Sequence, residues 1–345
     1  VKKYCFTGVL MAMSIWAQAQ NESLLRKLFG KTHIDTSYIT SYYDKLQLTG
    51  VSISKGHSTI ISDRTTDKRL IFAPNTGNTF GLGVDYKILT FEFTRAIQGL
   101  FSPDPQKGKS ESFGFRFGLT GRKWLFSGLL QGYNGLYIKN PQEIIDGWNP
   151  EVNGYPNRED LSSFTLLLSL NYVFNPTKYS NMAALWQIDR QKKSAGSFMC
   201  GITLRGNSLT SDSTIVPSRV YTEFPEVNRV MQGSNGTIGF NFGYGHNFVY
   251  RKRFFANVMF VPGINMQNGI LQYTDGSLIN YESKLGVHGD FRLITGYNGE
   301  RYYWGLHYAN YFLNRAFDEV ISMSERSTYF RLFAGVRFTV HKEKK

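Results

Sequence analysis

The stretch Asn171–Arg205, NYVFNPTKYSNMAALWQIDRQKKSAGSFMCGITLR, decides how the chain is built. Two strand-like runs in it flank a polar, basic centre, Asp189-Arg190-Gln191-Lys192-Lys193-Ser194-Ala195-Gly196-Ser197. The same kind of run recurs on either side. Phe164, Leu166, Leu168, Leu170 and Tyr172 alternate with Thr165, Leu167, Ser169 and Asn171. Ile238, Phe240, Phe242 and Tyr244 alternate with Gly239, Asn241, Gly243 and Gly245, and the stretches Phe80–Lys87, Phe113–Thr120 and Phe330–Phe338 repeat the pattern. Successive side chains of a strand point to opposite faces. One face is therefore aromatic and aliphatic, and the other mixes glycine with arginine, aspartate, asparagine and threonine.

A soluble β-sandwich alternates too, but its polar face looks into bulk water. Here many segments have the roughly ten residues a tilted strand needs to cross a bilayer. The chain is also 15% aromatic, with 21 Tyr and 27 Phe, as expected of a wall whose rings girdle both interfaces. The pattern predicts an all-β protein, an antiparallel transmembrane β-barrel. A mean hydropathy of −0.29 fits, because a barrel averages its lipid face against a polar lumen.

Lys2 and Lys3, the apolar run Tyr4–Trp16 and the small-x-small triplet Ala17-Gln18-Ala19 read as a signal peptide over residues 1–19. Residues 20–44 then form a periplasmic N-terminal segment or plug, and residues 45–345 the barrel, placed in a bacterial outer membrane. Cys5 leaves with the leader and Cys200 stands alone, so no internal disulfide is expected. A net charge of +13 attracts polyanions. In an exported protein the expected partners are outer-membrane lipid, lipopolysaccharide and an anionic solute. Nothing has the form of a zinc finger, an RNA-stacking motif or a phosphate loop, which excludes nucleic acid.

Tight turns fall at Lys87-Ile88, Gly121-Arg122, Tyr250-Arg251-Lys252 and Asn298-Gly299, the last being the dipeptide favoured where both turn residues take φ > 0. Long polar connections run over Gln98–Glu111, Leu136–Asp160, Asn207–Gly233, Gln267–Ser283 and Arg315–Glu325. Tight turns face the periplasm and long loops the exterior. This alternation gives about thirteen crossings, whereas single-chain bacterial barrels are even. The conflict lies between Phe174 and Thr237. Either Ala183–Arg190 joins Ser197–Arg205 in one broken strand, giving twelve, or a further strand hides near Ile215–Phe224, giving fourteen. Pro217 and Pro225 disfavour the second. With twelve, Arg190, Lys192 and Lys193 fold into the lumen or bulge at its rim; with fourteen, they sit on a solvated turn.

A serine nucleophile needs a base on its own strand face. None of His33, His57, His246, His288, His307 and His341 has a serine two residues away. His288, Asp290 and Arg292 share one inward face by period two, either as an acid–base or anion site or as an ion-pair network tying strands together. Arg116, Arg205, Arg331 and Arg337 also fall on the polar face. Arginine lining a pore favours anions, yet Asp85, Glu92 and Asp290 could neutralise several, so an open pore and a packed lumen both fit. No cysteine–histidine cluster has metal spacing, and no cofactor is expected.

The block Lys178-Tyr179-Ser180, Ala183-Ala184 and Asp189–Ser197 resembles the most recognisable segment of an uncharacterised Bacteroidetes family of outer-membrane proteins, labelled only as a domain of unknown function. Ser37-Tyr38-Ile39, Pro74-Asn75 before Gly81-Leu82-Gly83, and Arg331–Phe338 support it, over nearly the whole mature chain. The resemblance implies an outer-membrane location and no particular activity. The residues themselves leave a non-enzymatic transport or binding barrel, a lipid-modifying enzyme and an assembly component as readings, with the first preferred.

Overall fold

The computed structural model describes residues 28–29, 33–96, 104–281, 285–313 and 321–340. The leader expected over residues 1–19 lies outside them. Its strands are β1 (Ile39–Ser41), β2 (Lys45–Asp63), β3 (Lys68–Ala73), β4 (Asn78–Tyr86), β5 (Leu89–Ala96), β6 (Glu111–Thr120), β7 (Trp124–Ile138) and β8 (Asn157–Val173), followed by β9 (Asp189–Gln191), β10 (Ala195–Thr210), β11 (Val230–Tyr250), β12 (Phe254–Tyr273), β13 (Leu278–Tyr281), β14 (Leu285–Asn298), β15 (Tyr302–Leu313) and β16 (Ile321–Thr339).

A 12-strand antiparallel ring forms the wall, in the order β2, β4, β5, β6, β7, β8, β10, β11, β12, β14, β15, β16. It closes by pairing β16 with β2 in unbroken register, Ile321 against Asp63 through Thr339 against Lys45. No edge is left open around the ring, which is the condition for placing strands in hydrocarbon. β3 and β13 pair with β2 and β12 as additions at the long-loop end. β1 and β9 form a separate two-stranded sheet.

Ala183–Arg190 is neither a wall strand nor half of a broken one. Residues Asn181–Leu185 are a short helix and Asp189–Gln191 pairs with Ile39–Ser41. The count of twelve stands, and the parity conflict came from chain that leaves the wall altogether. Ile215–Phe224 is no strand either: Ser218–Glu223 is a 3-10 turn behind Pro217. Leu70–Tyr86, which reads as one strand, breaks into β3 and β4 at Pro74, and Asn75 Nδ2 there donates to Asp104 O at 2.8 Å and Gly108 O at 2.6 Å. Asn298-Gly299 does not form the expected left-handed turn; positive φ occurs instead at Arg251 (49°) and Lys252 (59°).

The wall's faces sort as the alternation requires. On β11 Ile238, Phe240, Phe242, Tyr244, Phe248 and Tyr250 point outward and are exposed, while Asn235, Asn241 and Asn247 are buried inside. A row of apolar residues marks the upper part of the belt on four strands, with Phe164 and Ile270 the only exposed apolar residues above that level on β8 and β12. Leu204, Ile238, Met266 and Leu285 stand opposite one another on adjacent strands, all exposed. The next outward residues above three of them are Gly206, Gly236 and Asn268. Above that line the strands continue beyond the belt.

Candidate functional site: an enclosed basic chamber

Both ends of the lumen are filled. At the short-turn end the chain leaves β8 after Val173, turns inward and returns as β10, forming a plug over residues 174–194. The Ser180 hydroxyl accepts from Ala183 N at 3.2 Å and so caps the helix Asn181–Leu185, every residue of which is buried. Met182, Leu185, Trp186 and Ile188 pack against Val51, Ile53, Leu125 and Phe255 of the wall. Tyr179 fits because Gly245 has no side chain: a Cβ there would stand 2.4 Å from the Tyr179 hydroxyl.

Charged groups pin the plug. The Arg122 guanidinium donates to both Asp189 carboxylate oxygens at 3.1 Å, and the Ser180 hydroxyl donates to Asp189 Oδ2 at 2.8 Å. Arg337 donates to Gln47 Oε1 at 3.0 Å, Gly299 O at 2.6 Å, Asn298 Oδ1 at 2.8 Å and the plug carbonyl of Gln187. It also stacks over Tyr42 at 4.1 Å and Tyr303 at 4.4 Å.

At the other end the connection between β10 and β11, read from sequence as a long polar loop, folds inward as an apolar cap. Ile215, Val216, Val220, Phe224 and Val227 are all buried. They pack with Ile61, Leu70, Phe72, Leu136, Leu161 and Leu271 from strands around the mouth.

Between plug and cap lies a cavity of about 160 Å³. Its charged lining consists of Lys55, Arg116, Arg205, Arg292 and Asp290, with His57 and His288 beside them. Arg116 and Arg331 share Glu92, at 3.2 and 2.6 Å. Arg205 pairs with Glu325 at 2.5 Å, and Asn207 and Thr165 also donate to that carboxylate. Arg292 is forked onto Asp290, its Nε 2.9 Å from Oδ1. His288 Nε2 lies 2.9 Å from Asn241 Oδ1 and Nδ1 lies 3.2 Å from Asn265 Nδ2. That environment suits a neutral ring donating from Nε2, which is a strand-tying role.

The sequence-derived candidates therefore separate. Arg116, His288, Asp290 and Arg292 meet in the chamber, and Arg331 stands behind Arg116 through Glu92. Arg337 belongs to the plug's anchorage. Arg190 lies beneath it, 4.0 Å from Glu300 and over the Tyr42 ring at 5.8 Å. Lys192 and Lys193 sit at the rim, away from the chamber. The Lys193 ammonium and that of Lys178 lie over Tyr38 at 5.1 and 5.5 Å. Nearby, the Ser37 hydroxyl and N–H hold the Asp35 carboxyl below its ordinary range.

Lys55 and Glu325 escaped the sequence reading, Glu325 because it fell in the expected long connection Arg315–Glu325, while His57 entered it only as a base without a serine partner. On β2 the outward residues Ser54, Gly56 and Ser58 are small, so the alternation fades although the strand continues to Asp63. Inward parity from Val51 and Ile53 was the available signal. Among the described residues no group of His, Cys, Asp and Glu could hold a metal ion.

These features define a closed β-barrel of outer-membrane type with a filled lumen. The chain belongs to the family described as Domain of unknown function (DUF4421), whose model matches residues 33–338. No curated protein matches it. Among solved structures it is similar to the Escherichia coli outer membrane protease OmpT, at 8% identity and a TM-score of 0.40, covering 87% of this chain and 98% of that one. It is also similar to the β domain of the Bordetella autotransporter BrkA, at 8% identity and a TM-score of 0.33, covering 84% and 99%. The Pseudomonas putida toluene transporter TodX follows at 8% and 0.26, covering 87% and 91%. Nothing about activity carries over at these levels.

Proposed function

We propose that this protein is a non-enzymatic outer-membrane barrel that holds a small anionic solute in an occluded lumen and exchanges it when the plug or the cap moves. The observation that carries this reading is the chamber, basic on balance, between two independently built closures. Neither an open pore nor a reaction is needed to account for it. His288 is engaged on both ring nitrogens and the Asp290 carboxylate by Arg292, so the best acid–base candidates are committed to structure. The outward apolar belt meets outer-membrane lipid, and lipopolysaccharide is the lipid expected against the outer half.

Planar-bilayer recording tests this. The full chain should show no steady conductance. Replacing residues 174–194 by an Asn-Gly hairpin and shortening residues 213–228 should open the barrel and give a reversal potential favouring anions. Steady conductance by the unaltered chain, or an opened barrel that passes cations as readily as anions, would overturn the reading.

A further inference from the structure

One chamber cation has no ion pair of its own among the described residues. The Arg116, Arg205 and Arg292 head groups each meet a carboxylate, but the Lys55 ammonium has no hydrogen bond or ion pair to any described residue. It is half-buried and lines the chamber. The Glu92 carboxylate acts on it through space but is already shared by Arg116 and Arg331, so the ammonium enters the chamber without a carboxylate of its own. Room for it is provided deliberately: a Cβ at Gly114 would stand 3.0 Å from Lys55 Nζ and 2.7 Å from Thr94 Oγ1.

The wall beside this cation breaks the polar rule of the lumen. Arg116, Leu129, Leu167 and Arg205 stand opposite one another on four successive strands, so two inward leucines lie between two inward arginines at one level. All four line the chamber, and Trp186 of the plug stacks on Arg116 at 4.7 Å. A bare inorganic anion would leave the leucines without an occupant. A hydrocarbon would leave Lys55 without a counter-ion.

We propose that the chamber is a binding site for a compact amphipathic carboxylate, its carboxyl group paired to Lys55 and Arg116 and its apolar body against Leu129 and Leu167. The volume limits that body. A cavity of about 150 Å³ accommodates a benzene ring, and this one is about 160 Å³. A single ring or a short alkyl chain fits; a lipid acyl chain does not. The inference rests on the barrel being a solute holder, and conductance and binding fail separately: a silent barrel that binds no carboxylate sinks only this assignment.

The test uses fluorine NMR on the full chain in lipid nanodiscs with 4-fluorobenzoate. Saturable binding that unlabelled benzoate displaces is expected. Lys55→Met should weaken it at least tenfold while leaving the thermal unfolding midpoint equal or higher, because the substitution removes a charge that holds no ion pair of its own. Gly114→Val should also weaken it by intruding on the Lys55 head group. Equal binding by wild type and Lys55→Met would overturn the proposal. So would competition by 4-fluorotoluene as strong as benzoate's, marking a merely apolar pocket, or by inorganic phosphate, marking a bare anion site.

Discussion

At the scale of the residue, the lumen is organised by arginines that share or hold single carboxylates, and each pair makes a distinct demand. Arg122 and Asp189 are both nearly inaccessible, at 5% and 0% side-chain exposure, and join wall to plug. Removing one partner of such a pair costs about 3–5 kcal/mol, because the other stays buried and uncompensated. Asp189→Ala should therefore loosen the plug locally. Trypsin should then cut after Lys192 or Lys193, hydrogen exchange should rise at Ile39–Ser41, and the barrel's unfolding midpoint should barely move. Retained trypsin resistance would show that Arg337 and the apolar contacts hold the plug without this pair. Glu325 makes a second demand, since Arg205, Asn207 and Thr165 all converge on it. Glu325→Gln should destabilise the fold by a few kcal/mol, and Arg205→Met added to it should restore part of the loss. Strictly additive losses in denaturant melts would count against a coupled pair. Of these four residues, Arg205 was readable from strand parity. Glu325 was not, because the alternation around it had already faded into what reads as loop.

At the scale of the element, the misreadings share one cause. Periodicity separates lipid-facing strands from loops well, but it cannot tell a short buried helix from a short buried strand. Met182-Ala183-Ala184-Leu185-Trp186 is apolar without a clear period, and all of it is buried. Its side chains face protein on every side, so no amphipathic stripe is required of it. The cap posed the same problem in reverse, since Pro217 and Pro225 signal a loop correctly yet say nothing about whether the loop turns inward. Val216 and Phe224 are 0% exposed, as deeply buried as any core residue. Phe224→Ala should leave a hole among Leu70, Phe72 and Leu161 and cost about 3–5 kcal/mol. The measurement is the denaturant midpoint of the refolded barrel, and a change under about 1 kcal/mol would mean the cap stands apart from the global fold.

At the scale of the whole molecule, the wall was legible because its physics is repetitive: each crossing needs an apolar outward face, an inward polar face and a turn. The lumen was not legible, because its contents are set by residues far apart in sequence that meet only once the ring has closed, as Glu92 meets Arg331. The ring also predicts where lipid sits. From Ile238 to Tyr250 the outward face of β11 is apolar or aromatic except at His246, and at usual barrel tilts this spans roughly 30 Å. Above it the same face reads Gly236, Ser234 and Gln232, while exposed Arg251, Lys252 and Arg253 lie just below. An arginine in the middle of a lipid-facing wall costs about 2–4 kcal/mol and near the interface about 0–1. Phe242→Arg should thus lower folding stability in lipid vesicles by the larger amount, whereas Ser234→Arg, eight residues along the same face, should be close to neutral. The difference between the two is the diagnostic quantity, because both place the same side chain on the same strand. If the two variants lost equal stability, the belt would not be a membrane belt. If Ser234→Arg were the costlier, the barrel would sit deeper, shifted toward the periplasm, than Leu204, Ile238, Met266 and Leu285 mark it.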